Sequence, residues 1–345
     1  MSKITDRIAA ETGVPDLLQI LARKIPPSDL QSLLLEALQI RARAVREADL
    51  LARSTPLTAP SSVDARALNE FDRVAFATAA EFDAVELSPL CPFGVSFTLG
   101  GIDPNNVVTT IRNTEVLGDS TEALALECAR RRKRDRKTEV RLAASHRVIR
   151  MQPFDVPGFT PHFRLFALVS AGRDTGSHEF ETRHLAGHIR FYLRLCRALA
   201  MKRPLVEISD LRVTAGLLEA RGVRGDDVRQ AVRAHRSGSS QKFLESRGIE
   251  LPDSDPRLDS IAARVFEPLR DEFPEADFAV NLSRLEGLGY YTGLCLRVSP
   301  EAPDGVRYPV ADGGFTDWTA RLLADRKELL MTSGIGSEFV CRRYL

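Results

Sequence analysis

Three groups of residues carry side chains able to do chemistry. Cys91 stands in Leu90-Cys91-Pro92-Phe93-Gly94. A thiol there becomes a nucleophile only beside a base or a cation. The segment supplies neither, so a buried thiol is expected. His184 and His188 fall four residues apart on one helical face, a spacing that suits a metal pair. No HExxH frames them and no third ligand is evident, which favours a pair facing solvent or an interface. The densest charge is Arg130-Arg131-Arg132-Lys133-Arg134-Asp135-Arg136-Lys137. Such a run can hold RNA or another polyanion. No aromatic residue interleaves it for base stacking, however, and cations also suit the C-terminal end of a helix.

Composition bounds the elements that must position these residues. The chain has 345 residues, 43% hydrophobic and 28% charged, enough for one large domain or two ordinary ones with a core. A net charge of +1 gives no global field toward nucleic acid or an anionic membrane. The five cysteines match no zinc spacing and include no CxxC. Without a signal peptide they read as reduced thiols of a cytoplasmic protein. No apolar run approaches the roughly 18 residues that cross a bilayer.

The hydrophobic pattern starts helical. Leu17, Leu18, Ile20 and Leu21 precede Pro26-Pro27, and Ser28-Asp29-Leu30-Gln31 has capping-box form before Leu30, Leu33, Leu34, Ala37 and Leu38. The stretch STPLTAPSS, 54–62, is the clearest linker. Beyond it the pattern predicts a helix over Asp64–Phe82, a strand about Val107–Ile111 and a helix capped by Ser120. Paired strands are predicted at Val140–Gln152 and Phe163–Ser170, then a long helix at His178–Met201. Polar helices punctuated by Gly222, Ser237-Gly238 and Pro252 fill about 210–270. Strands at Phe278–Leu282, Tyr290–Val298 and Arg307–Val310 follow, with a helix near Thr316–Arg326 and a final apolar segment, Leu329–Ile335. Strands joined as hairpins rather than in βαβ alternation favour an α+β fold on an antiparallel sheet.

Within this frame Arg284-Leu285-Glu286-Gly287-Leu288-Gly289-Tyr290-Tyr291-Thr292-Gly293 resembles the R-G-L-D-Y-Y-T-G signature of histidyl-tRNA synthetases. Asp312-Gly313-Gly314-Phe315-Thr316-Asp317 resembles that family's GGRYD element, and Ser333-Gly334-Ile335-Gly336-Ser337-Glu338-Phe339 its third class II motif. Thr110-Ile111-Arg112-Asn113-Thr114-Glu115 is similar to the T-L-R-P-E element, and the hairpin carrying Arg150-Met151-Gln152 and His162-Phe163-Arg164 to the second class II motif. The plan also resembles the regulatory subunit of ATP phosphoribosyltransferase.

The resemblance implies a class II aminoacyl-tRNA synthetase catalytic fold. Its antiparallel sheet would have six or seven strands flanked by helices, with a helical N-terminal arm (1–57), core segments 58–209 and 272–345, a helical insertion (210–271) and no anticodon-binding domain. It implies a site in which Arg150 and Arg164 are the catalytic cations. Glu115, Arg112, Gln152, Glu286, Tyr290 and Tyr291 would then bind substrate, Glu115 receiving an α-ammonium. Glu115, Arg150, Arg164, Glu286, Tyr290 and Tyr291 should then converge on one cavity. Three arginines of the family are replaced, by Glu286, Phe315 and Phe339. Adenylate formation needs cations on the phosphates, so the replacements argue against use of ATP and Mg and against charging of tRNA. The expectation is a paralogue that binds an amino-acid-like small molecule. It would be a non-tRNA ligase or acyl transferase, or alternatively a non-catalytic regulatory subunit with a protein partner, and less readily an RNA-binding protein. A homodimer pairing through Asp64–Phe82 is expected.

Overall fold

The computed structural model describes residues 3–151, 160–223 and 240–345. Its main sheet has eight strands: β1 (Asp83–Ala84), β4 (Val140–Ile149), β5 (His162–Arg173), β6 (Lys202–Asp210), β7 (Asp277–Val280), β8 (Leu294–Glu301), β9 (Ala311–Thr316) and β10 (Glu328–Gly336). They lie in the order β1-β4-β5-β10-β9-β8-β6-β7, and β2 (Leu90–Pro92) with β3 (Thr114–Val116) forms a separate ribbon. The five inner pairings are antiparallel, but β1 runs parallel to β4 and β7 parallel to β6. The sheet is therefore mixed, which corrects the expectation of a purely antiparallel sheet of six or seven strands. The cause is connectivity. Helical segments separate β1 from β4 and β6 from β7, and a helical crossover returns the chain in the same direction.

Two apolar layers sandwich the sheet. Helix Glu179–Ala198 presents Phe180, Leu185, Ile189 and Tyr192 to one face, where Phe166 is fully buried and stacks on Phe191 at 5.6 Å. Helix Ser120–Arg134 presents Leu124, Ala125 and Cys128 to the other, beside Leu142, Val169 and Trp318. Each leucine, isoleucine, valine or phenylalanine among them contributes roughly 1.5–3 kcal/mol on burial. Helix Pro256–Glu272 joins the first layer through Leu258, Ile261 and Val265. Leu218, Phe243, Leu244, Ile249 and Leu285 form a small cluster of their own. Helices Lys3–Thr12 and Pro27–Arg43 contain no buried residue.

Several predicted elements shift. Helix Ser120–Arg134 is capped by Asp119, whose side chain accepts from the Thr121 N–H. No strand forms at Val107–Ile111, where a 3-10 turn at Pro104–Asn106 leads into β3 instead. The segment Arg307–Val310 is not a strand, because Pro309 has no N–H for a ladder, and β9 begins at Ala311.

The fold also accounts for the basic run, the histidine pair and Cys91. In the basic run Arg132 is fully buried, with Nε and Nη2 each 2.9 Å from Glu328. Arg131 pairs with Glu127 and Asp83, and Arg136 with Asp325. His184 and His188 are buried rather than facing solvent. His188 sits between Ser170 (3.0 Å) and Ser333 (2.7 Å), and His184 meets Glu139 at 3.2 Å. Cys91 is buried, and burial with the Glu115 charge pushes its thiol up to about 12, so it is no nucleophile at neutral pH.

Candidate functional site

A cavity of about 560 Å³ opens on the Trp318 side of the sheet. Its floor follows from register. Gly334 of β10 pairs with Asp312 of β9, which pairs with Arg297 of β8, so these share one face. Leu165 of β5 extends the same floor, and a Cβ on Gly334 would stand 3.1 Å from it.

One wall is the start of helix Ser120–Arg134. Asp119 caps it and also meets Arg150 at 3.1 Å. Arg150 donates from Nε to the Gly118 carbonyl at 2.9 Å and lies 5.2 Å over the Phe163 ring. Glu122, in the first turn of the helix, lines the cavity at 1% exposure. The Ser96 hydroxyl donates to its Oε2 at 2.8 Å.

The opposite wall is the turn 284–291. Gly287 has φ +95, and its carbonyl accepts from both Tyr290 N–H (2.9 Å) and Tyr291 N–H (2.8 Å). The tyrosines therefore stand in a turn rather than on alternate faces of a strand, and both line the cavity. Their rings meet edge-on at 4.9 Å. A Cβ on Gly287 or on Gly314 would come within 2.5 or 2.7 Å of the Tyr291 ring, so two glycines make the slot for this side chain. The Tyr290 hydroxyl reaches Thr121 (3.1 Å) and Asp119 (3.4 Å), which joins the two walls.

The cavity's cations are neutralised from within. Arg284, 2% exposed, places Nη2 at 2.7 and 2.8 Å from the two oxygens of Asp312. Its Nη1 donates to the Leu296 carbonyl and its Nε to that of Glu286. Arg297 meets Glu286 at 3.3 Å. Burial would raise the Glu286 carboxyl, but Arg297 and Arg284 outweigh it and hold the group below its ordinary range. Among the described residues, three arginines and four carboxyls line the cavity. Each arginine has its own carboxylate, and Glu122 is the carboxyl left over.

Of the six side chains expected to converge, Arg150, Glu286, Tyr290 and Tyr291 line this cavity. Arg164 does not. Phe163 and Leu165 face the cavity, so Arg164 points through the other side of β5 and pairs with Asp72. The expected parity was the reverse, and a shift of one residue inverts every side chain of a strand. Glu115 does not line it either. Its carboxylate accepts from Gly94 N–H (2.8 Å) and Ser96 N–H (2.7 Å), holding the turn that starts Val95–Thr98. The carboxylate this segment offers to the cavity is Asp119, four residues on. Arg112 is exposed and outside the cavity. Gln152 lies outside the described residues. Of the replaced cation positions, Phe339 lines the cavity as an apolar patch, while Phe315 packs into the opposite layer.

Sequence reading missed Asp119, Glu122, Arg284, Arg297 and Asp312. Arg284 and Asp312 lie within the two motif-like segments, where a charge among glycines and apolar residues was the available signal. Asp119-Ser120-Thr121-Glu122 has capping-box form, which disguises Glu122 as an ordinary helix-start acid.

No protein-family model matches the chain, and no curated protein matches it in sequence. Solved structures do. Histidyl-tRNA synthetase from Nostoc sp. PCC 7120 matches with a TM-score of 0.63 at 14% identity, over 84% of this chain and 74% of that one. An ATP phosphoribosyltransferase regulatory subunit/histidyl-tRNA synthetase from Bacillus halodurans matches at 0.59 and 14%, covering 84% and 83%. A histidine–tRNA ligase subunit from Alicyclobacillus acidocaldarius matches at 0.59 and 15%, covering 84% and 96%. With a mixed eight-stranded sheet in place of the expected one, the chain has the fold of histidyl-tRNA synthetase-like proteins.

Proposed function

We propose that this chain is a histidyl-tRNA synthetase-like paralogue that binds an amino-acid-like small molecule in the Arg284–Tyr291 cavity without ATP chemistry. One observation carries the reading. Among the described residues, each arginine lining the cavity is paired with a carboxylate of the chain itself: Arg150 with Asp119, Arg284 with Asp312, Arg297 with Glu286. A triphosphate would have to displace those carboxylates and be repelled by them. A zwitterionic or cationic ligand meets acceptors instead, near Asp119, Thr121 and the Tyr290 hydroxyl. The tyrosine pair and Phe339 supply an apolar surface for its side chain.

Between the two outputs, neutralised cations favour ligand sensing, as in a regulatory subunit acting on a protein partner, over ligation or acyl transfer. Pairing as a homodimer through helix Ala65–Thr78 belongs to the same reading. Its Leu68, Phe71 and Ala75 enter the core, leaving the opposite face available. Pyrophosphate exchange with ATP, measured across the twenty amino acids, tests the choice. No exchange is expected, and exchange stimulated by any amino acid would restore the ligase reading.

A further inference from the structure

Resting on that reading, we infer that Glu122 is the anchor for a ligand ammonium, and that the cavity takes a basic amino acid or a diamine. Three observations meet at this residue. Among the described residues, Glu122 is the carboxyl left over once the three cavity arginines are paired. It is 1% exposed and lines the cavity. Its Oε2 is satisfied by Ser96, while Oε1 is buried with no hydrogen-bond partner. A buried polar atom without a partner is costly unless a ligand supplies one, and an ammonium brings three donors.

The surroundings make the anchor responsive to charge. Asp119 stands on its own helix start, Glu115 on β3, Cys91 on β2 and Tyr290 on the facing turn. The guanidinium of Arg150 is already held by Asp119. Burial, reinforced by Asp119, pushes the Glu122 carboxyl up to about 8, so at neutral pH it carries a proton. Docking of R–NH3+ breaks the Glu122 O–H bond. The proton passes to buffer, and a carboxylate–ammonium pair remains. Below the carboxyl's own titration, apparent affinity then rises up to tenfold per pH unit.

The test is titration calorimetry of the full chain with L-lysine, L-ornithine and cadaverine at pH 6.5, 7.5 and 8.5, with HEPES and phosphate compared at pH 7.5 to count protons. Expected are binding that tightens several-fold between pH 6.5 and 7.5, release of about one proton, and weaker binding of norleucine. Glu122→Gln, isosteric with the protonated acid, should keep the melting temperature, weaken binding at least tenfold and abolish the pH slope and proton release. Gly100→Ala acts from outside the cavity, since its Cβ would collide with Oε1 of Glu122. It should weaken binding in the same way. Binding that is independent of pH, or unchanged in both variants, overturns the anchor and leaves the amino-acid reading standing. Absence of binding by every amino acid and amine at about 10 mM overturns both.

Discussion

Asp312→Asn is the perturbation that most sharply separates an internally neutralised cavity from a disabled phosphate site. In the wild type the Arg284 guanidinium is nearly inaccessible, while Asp312 is about half-exposed, with side-chain exposures of 2% and 43%. Removing one partner of a fully buried pair costs about 3–5 kcal/mol. Solvent around Asp312 lowers that figure, the substituted amide keeps one acceptor oxygen, and Arg284 retains the carbonyls of Leu296 and Glu286. The loss of a charged hydrogen-bond partner, about 1.5–3 kcal/mol, is the better guide. We expect a destabilisation of about 2 kcal/mol in urea unfolding. The freed guanidinium should also create affinity for an anion, so millimolar pyrophosphate should raise the melting temperature of the variant and leave that of the wild type unchanged. A variant as stable as wild type that ignores pyrophosphate would refute the claim that Asp312 neutralises Arg284.

Other consequences are independent of that pair. Glu122 has its folded carboxyl raised to about 8 from an ordinary 4.5, so the folded state binds the extra proton between those values. Stability should therefore fall as pH rises through that window, by at most roughly 1.4 kcal/mol per unit. It should level off above pH 8, and Glu122→Gln should remove this slope from denaturation curves. Gly314→Ala would put a Cβ 2.7 Å from the Tyr291 ring and 2.8 Å from the Cys295 Cβ. An overpacking cost of about 1–3 kcal/mol and weakened ligand binding should follow, and a variant with wild-type melting and binding would show that the slot is not tight. Arg164→Ala removes the pair with Asp72 on the far face of β5. It should lower the melting temperature while leaving amino-acid affinity within twofold, and a large affinity loss would mean that Arg164 does reach the site.

Much of this was legible in the sequence, and what was not had physical causes. The long periodic elements were found: helices Ala65–Thr78 and Glu179–Ala198 and the hairpin β4–β5. Each repeats an apolar pattern over many residues. The edge strand β1, two residues long, is too short to show a period, and the strand read at Phe278–Leu282, which overlaps β7, carries no sign of its parallel pairing with β6, so the mixed sheet was hidden. Tyr290 and Tyr291 were expected in one cavity from the motif resemblance, but the turn at Gly287 that brings both there was hidden, because that stretch was read as the start of a strand. Arg164 was lost to parity. Glu115 and Asp119 are both carboxylates beside the same helix start, and only packing decides which one lines the cavity. Glu122 wore the signature of a cap.

The most direct test of the central claim is calorimetric titration of the twenty L-amino acids into the chain, with and without MgATP. Saturable binding of a subset is predicted, lost in variants that disturb the Tyr291 slot, with affinities unchanged by MgATP and no heat from MgATP alone. Tight MgATP binding, or amino-acid binding that appears only in its presence, would contradict it.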